Sequence, residues 1–220
     1  MNRAVRPCAA AVLRCLRRHG RLHDAAPLAV AVSMGADSLA LTAAIRDLRA
    51  RGRLGEALLI HVDHGQHDGS AFAGCRAVEL GARLSMPVAV ERPALRRAAS
   101  EAELRDARYA AFADAMRRHG ARTLLIAHHA DDQVETLVMR ARRGTSARGL
   151  AGIPQRREFA AGLVLLRPLL ALRKHELATA LAASGLASFC VQDPTNASLD
   201  FLRNKIRHVV VPELRDARGA

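Results

Sequence analysis

Short apolar runs, each followed at once by a segment with helical periodicity, recur along most of this chain, and they constrain its fold more than any other feature. Runs at 28–32, 57–62, 87–91 and 123–127 read as strands, and stretches at 37–50, 70–84, 100–119 and 131–143 read as helices. Continuously apolar strands must be covered on both sides, so the alternation predicts an α/β fold: a mostly parallel sheet with helices on both faces. Past residue 143 the rhythm changes. A basic Gly/Ser/Thr loop comes first, then an apolar stretch at 163–170 broken by Arg167-Pro168, a helical pattern at 173–184, and an Asp193-Pro194-Thr195-Asn196 turn before a short helical C-terminal segment.

Ahead of the first strand, Val5, Ala9, Val12, Leu13 and Leu16 trace one helical face, which reads as a helix packed on the domain rather than a targeting peptide. The chain therefore divides into an N-terminal helix (1–27), an α/β domain (28–170) and a helical extension of that domain (171–220). With 220 residues, half of them hydrophobic, such a domain has enough apolar volume for a core. Aromatics make up only 3 %, so aliphatic side chains must fill it, and the composition speaks against a stacked-aromatic RNA platform.

The formal net charge is +13, which points to a polyanionic partner, nucleic acid first. Lys174 and Lys205 are the only lysines, so arginine carries the excess. Cys8, Cys15, Cys75 and Cys190 form no CxxC pair or zinc-ribbon spacing, and reduced thiols in a cytoplasmic protein are the simplest account. No apolar run approaches the ~18 residues that span a bilayer.

In an open α/β sheet, ligands gather at the carboxyl ends of the strands. Three polar loops begin there: Ser33 to Ser38, Asp63 to Gly69 and His128 to Asp132. Ser33-Met34-Gly35-Ala36-Asp37-Ser38 joins a strand to a helix, where backbone N–H groups and hydroxyls can hold phosphate and Asp37 can share a Mg²⁺ ion. It has neither the GK[ST] ending of a Walker loop nor the three spaced glycines of a dinucleotide loop, and alone it is equally compatible with a plain helix cap. Asp132 and Glu135, at i and i+3 on one helical face, can clasp an ammonium group. His61, Asp63 and His64 with His128 and His129 offer metal ligands as well, but complete no known spacing.

Taken together, these motifs resemble the catalytic domain of the tRNA(Ile)-lysidine synthetases, in the PP-loop ATP-pyrophosphatase superfamily. The SGGxDS loop of that family corresponds to Ser33–Ser38, HVDHG to His61–Gly65, and AHHxDDQxET to Ala127–Thr136. RGxxxxGLxGI follows at Arg143–Ile153, RPLL at Arg167–Leu170, DPxN at Asp193–Asn196 and RNxIR at Arg203–Arg207; an R-x-x-RY segment falls on Arg105, Arg108 and Tyr109. The matches run in family order over roughly residues 28 to 214.

The resemblance implies an adenine nucleotide α-hydrolase-like fold and a two-step ligation in the cytoplasm. ATP activates the C2 oxygen of the wobble cytidine in a CAU-anticodon tRNA(Ile), and the amine of free L-lysine then displaces AMP. It also implies site roles: Ser33, Met34, Gly35, Ala36, Asp37 and Ser38 bind ATP, and Asp37 does so through Mg²⁺. Asp132 and Glu135 hold lysine, Arg105, Arg108, Arg143 and Arg207 meet phosphate or tRNA, and Asp37, Asp132, Glu135 and Arg203 carry catalysis. The family's additional C-terminal tRNA-binding domains are expected to be absent, and a homodimer is left open.

One residue departs from the family pattern. Met34 stands where the loop has glycine, and a positive φ there would cost about 1–2 kcal/mol. The competing readings are a basic tRNA-binding module whose ATP site is impaired, or another PP-loop tRNA-modifying enzyme.

Overall fold

A computed structural model of the chain describes residues 2–65, 70–94, 99–142, 144, 151–191, 205, 206 and 210. Six strands form one sheet in the order β3-β2-β1-β4-β6-β5. The strands are β1 (Leu28–Ala31), β2 (Ala57–Val62), β3 (Val88–Glu91), β4 (Thr123–Leu125), β5 (Arg156–Ala160) and β6 (Leu163–Leu166). Every pairing is parallel except β5 with β6. The helices are α1 (Arg6–Arg18), α2 (Ala36–Arg49), α3 (Ser70–Leu84), α4 (Glu101–Arg118), α5 (Ala130–Arg142) and α6 (Lys174–Ser184).

The predicted parallel α/β sheet is therefore present, and strand pleating explains how it is covered. Leu28, Val30, Leu59, Leu125, Val164 and Leu166 enter a core shared with α1, α2 and α6. Alternate residues Ala29, Leu58, Ile60, Leu124 and Leu165 enter a second core with Phe112, Ala115 and Met116 of α4. On α1, Cys8, Val12, Cys15 and Leu16 are buried, and desolvation pushes the thiols of Cys8 and Cys15 up to about 11.

The β5–β6 hairpin has no counterpart in the sequence expectation. Its turn at Ala161-Gly162 relies on Gly162 at φ +71°, a left-handed position suited to glycine. Among the described residues, no helix is long and apolar enough to cross a membrane.

Candidate active site

Parallel strands deliver their following loops to one edge of the sheet, and three loops meet there. After β1, the chain turns through Ser33, Met34 and Gly35 into α2. Ser33 N–H donates to Ser38 Oγ at 3.2 Å, and Ser38 Oγ donates to the Gly35 carbonyl at 2.8 Å. Ser38 thus braces the loop from within. Gly35 caps α2 without a side-chain bond, so the first-turn N–H groups of Ala36, Asp37 and Ser38 lack intrahelical acceptors and form an anion cradle at the positive helix end.

Met34 has φ +63°, so the condition under which a methionine is strained here is met. Its side chain, however, is fully buried among the aliphatic residues of the α1–α2–α6 core, and its carbonyl accepts from Val191 N–H at 2.9 Å. The long side chain turns away from the cradle.

His61 on β2 holds the start of this loop. Its Nδ1 lies 2.8 Å from the Val32 carbonyl, and since a carbonyl only accepts, Nδ1 carries the proton. Burial lowers the pKa of His61 and keeps the ring neutral. Next along, Asp63 Oδ1 accepts from Gly65 N–H at 2.9 Å, and Arg92 lies 3.3 Å from Asp63 Oδ2. His64 Nε2 accepts from Arg108 Nε at 3.1 Å; burial, then the Arg108 charge, drives that imidazole down to about 4.

The third loop follows β4. Asp132 is 6 % exposed and Glu135 2 %, both on the inward face of α5. Asp132 Oδ2 accepts from His129 N–H at 2.9 Å, a third-position carboxylate closing its own helix start. Asp131 instead accepts from Lys174 N–H at 2.8 Å and so caps α6. Between them sits the buried His129 ring: Nε2 is 3.6 Å from Asp37 and 3.6 Å from Asp132, and Nδ1 is 3.7 Å from Asp131. Burial alone would lower its pKa, but the nearby Asp37 carboxylate and the charges of Asp132 and Asp131 outweigh it and raise the pKa. His129 therefore ties the loop between β1 and α2 to the acidic face of α5.

Two supports could not be assigned from sequence. Gln133 uses both ends of its amide on Ile153, donating to its carbonyl at 2.9 Å and accepting its N–H at 2.6 Å. Gly152, at φ +71°, packs so closely that a Cβ there would lie 2.6 Å from Gln133 Oε1. Arg167, 3 % exposed, donates from Nε to His128 Nδ1 at 3.0 Å and from Nη1 to the Pro154 carbonyl at 2.7 Å. A charged residue ending the apolar run at 163–166 was the available signal for it.

Of the residues singled out from sequence, Ser33 to Ser38, Asp132 and Glu135 come together at this edge, while Arg105 and Arg108 lie on exposed α4 positions. Arg143, Arg203, Arg207 and the Asp193–Asn196 turn lie outside the described residues. Among those described, no three His, Cys, Asp or Glu side chains group as a metal site. Mg²⁺ has a different requirement, since it is commonly held through one or two carboxylates plus substrate phosphates. Asp37, whose side chain is 35 % exposed beside the cradle, fits that share.

The family model described as a PP-loop domain matches residues 9–214. The chain is 37 % identical over 207 residues to the tRNA(Ile)-lysidine synthase of Geobacillus kaustophilus, covering 91 % of this chain and 44 % of that protein. It is 41 % identical over 221 residues to that of Salinispora arenicola, covering 98 % and 65 %. The chain thus spans about half to two thirds of the length of these curated relatives. Among solved structures, a U34-tRNA thiolase from Methanococcus maripaludis superposes with a TM-score of 0.75 at 14 % identity, over 97 % of this chain and 74 % of that one. At that identity the likeness speaks to the fold alone.

Proposed function

The chain belongs to the PP-loop domain family, and we propose that it joins L-lysine to C2 of the wobble cytidine of a CAU-anticodon tRNA(Ile), using ATP, in the cytoplasm. The observation that carries this reading is a phosphate cradle at Ala36–Ser38 linked through His129, from Asp37, to the buried carboxylate of Asp132, with buried Glu135 on the same face of α5. Relatives named tRNA(Ile)-lysidine synthase cover nearly all of the chain. Its +13 charge suits an RNA substrate.

In the first step, the cytidine O2 attacks the α-phosphorus of ATP and pyrophosphate leaves. The cradle N–H groups and the exposed Ser33 hydroxyl bind the departing phosphates, where preorganised donors act most strongly, while Ser38 holds the loop in shape from within. Asp37 would hold Mg²⁺, which would supply neutralising charge to the phosphate oxygens. In the second step the amine of lysine attacks C2, the C2–O bond breaks, and AMP leaves with that oxygen. Asp132 and Glu135 hold the lysine by its ammonium charge, and a carboxylate of this pair takes the proton that the attacking nitrogen must lose to become a nucleophile. His129, with its raised pKa, keeps Asp37 and Asp132 from repelling each other across the site.

The test is pyrophosphate release from ATP by the purified protein with the cognate tRNA, with and without lysine. Pyrophosphate release that requires the tRNA, with AMP formation and sustained turnover that require lysine as well, supports the reading. No release from a folded protein at saturating ATP and Mg²⁺ defeats it.

A further inference from the structure

Outside the cradle, arginines gather around the chain's only tyrosine. The guanidinium of Arg105 on α4 lies 5.1 Å from the Tyr109 ring centroid and that of Arg157 on β5 lies 5.2 Å from it. Arg105 Nη2 also donates to the Tyr109 hydroxyl at 3.4 Å. Tyr109 is itself packed against Phe112 and Phe159, with centroids 6.4 and 5.7 Å away, so the ring is a fixed platform. Arg108 lies one residue before it on α4, and the buried Arg167 is close enough for its charge to interact with the same tyrosine and with Arg105 and Arg157.

Four guanidinium groups thus crowd one small region. Among the described residues, no carboxylate lies within ion-pair distance of any of them. Elsewhere the chain pairs its arginines readily, as with Arg21–Asp24, Arg46–Asp47 and Arg92–Asp63. Stacking on an aromatic ring orients a guanidinium without using its N–H donors, so less freedom is lost when an anion arrives. Arg157 makes no hydrogen bond to any described residue, which leaves its donor fork available.

The cluster also abuts the site. Arg108 donates to His64 on the loop after β2, and Arg167 donates to His128 on the loop after β4.

We propose that the β5–β6 hairpin adds Arg157 to Tyr109 and Arg105, extending the phosphate contact that the resemblance implies for Arg105 into a phosphodiester-binding platform beside the active site that grips the backbone of the RNA substrate. The chemistry recognised is a phosphate. That its source is RNA rests on the function proposed above. Backbone contacts position without reading bases, so this platform sets affinity and register but not sequence preference.

The test measures equilibrium binding of a tRNA transcript to the full chain, without ATP or lysine, across a salt series. Arg157→Ala is expected to raise Kd by about three- to tenfold at physiological salt and to reduce the slope of log K against log salt by about 1. The effect is expected to be equal for transcripts with CAU and altered anticodons. Arg157→Lys keeps the charge and is expected to recover the slope, and Arg51→Ala, an exposed arginine in the loop before β2, is expected to change neither quantity.

Arg157→Gln keeps most of the side chain's length and answers the same question should the alanine variant lose stability. Unchanged RNA binding in a folded variant overturns the proposal. Weakened ATP binding with RNA binding intact overturns it too, by assigning the platform to nucleotide phosphates. Because the assay involves no catalysis, RNA binding that depends on Arg157 in a protein that makes no lysidine would sink the function proposed above and leave the platform standing.

Discussion

Met34→Gly restores the residue usual in loops of this pattern, yet it is expected to destabilise the protein. Two opposing quantities decide the sign. The φ of +63° costs a methionine about 1–2 kcal/mol, which glycine would not incur. The methionine side chain is fully buried in the α1–α2–α6 core, and truncating such a side chain costs about 2–5 kcal/mol. Packing wins, with a net loss of about 2 kcal/mol, or about 4–8 °C in Tm for a chain of this size. Met34→Ala loses the same packing and keeps the strain, so it should be less stable than Met34→Gly by about 1 kcal/mol. Urea unfolding of the three proteins measures both differences. Since the side chain points away from the cradle, ATP affinity of folded Met34→Gly should stay within about threefold, or about 0.7 kcal/mol. A more stable glycine variant, or one that binds ATP tenfold more tightly, would refute the reasoning and place the side chain in the path of phosphate.

Other consequences are measurable. Asp132→Asn and Glu135→Gln should each raise the KM for lysine by about tenfold or more, the worth of a charged hydrogen bond, with the KM for ATP little changed. An equal rise in both constants would count against lysine binding. Gln133→Ala removes both bonds to Ile153 and should cost about 1–3 kcal/mol in chemical denaturation; a loss below ~0.5 kcal/mol would mean the clasp is solvated. His64 binds its proton near 6.5 when unfolded but only at about 4 in the fold, so the unfolded chain takes up more protons between those values. Its contribution to stability is therefore present above pH 6.5 and lost as pH falls toward 4, and buried His61 acts in the same direction. His129 has the opposite sign: its raised pKa gives stability below the ordinary histidine value that fades as pH rises through the folded one. Unfolding curves of His64→Gln and the unaltered protein between pH 4 and 6.5 should converge toward acid. Parallel curves would contradict the assignment.

How much could be read beforehand depended on how local the determinant was. The first four strands and their helices were legible because strands buried on both faces must be apolar throughout. The β5–β6 hairpin was not, since β5 (Arg156–Ala160) is a largely exposed edge strand whose arginines and glutamate disguise it. Asp37, Asp132 and Glu135 could be singled out by type and spacing as candidates. The role of His129 between Asp37 and Asp132 depends on two loops meeting in space, and no spacing along the chain encodes that. Met34 shows the division most clearly: the backbone penalty follows from residue type, but the direction of its side chain follows from the packing of α1 and α6. Tyr109 and Arg157, distant in sequence, become neighbours only once the hairpin folds back on β4.

The most direct measurement of the central claim is mass spectrometry of nucleosides from a CAU-anticodon tRNA(Ile) transcript incubated with the purified chain, ATP, Mg²⁺ and L-lysine. The account predicts a modified cytidine whose mass increases by one lysine less one water, formed only when ATP and lysine are both present and lost in Asp37→Asn. Unmodified cytidine from a folded protein that binds both ATP and the tRNA would contradict it.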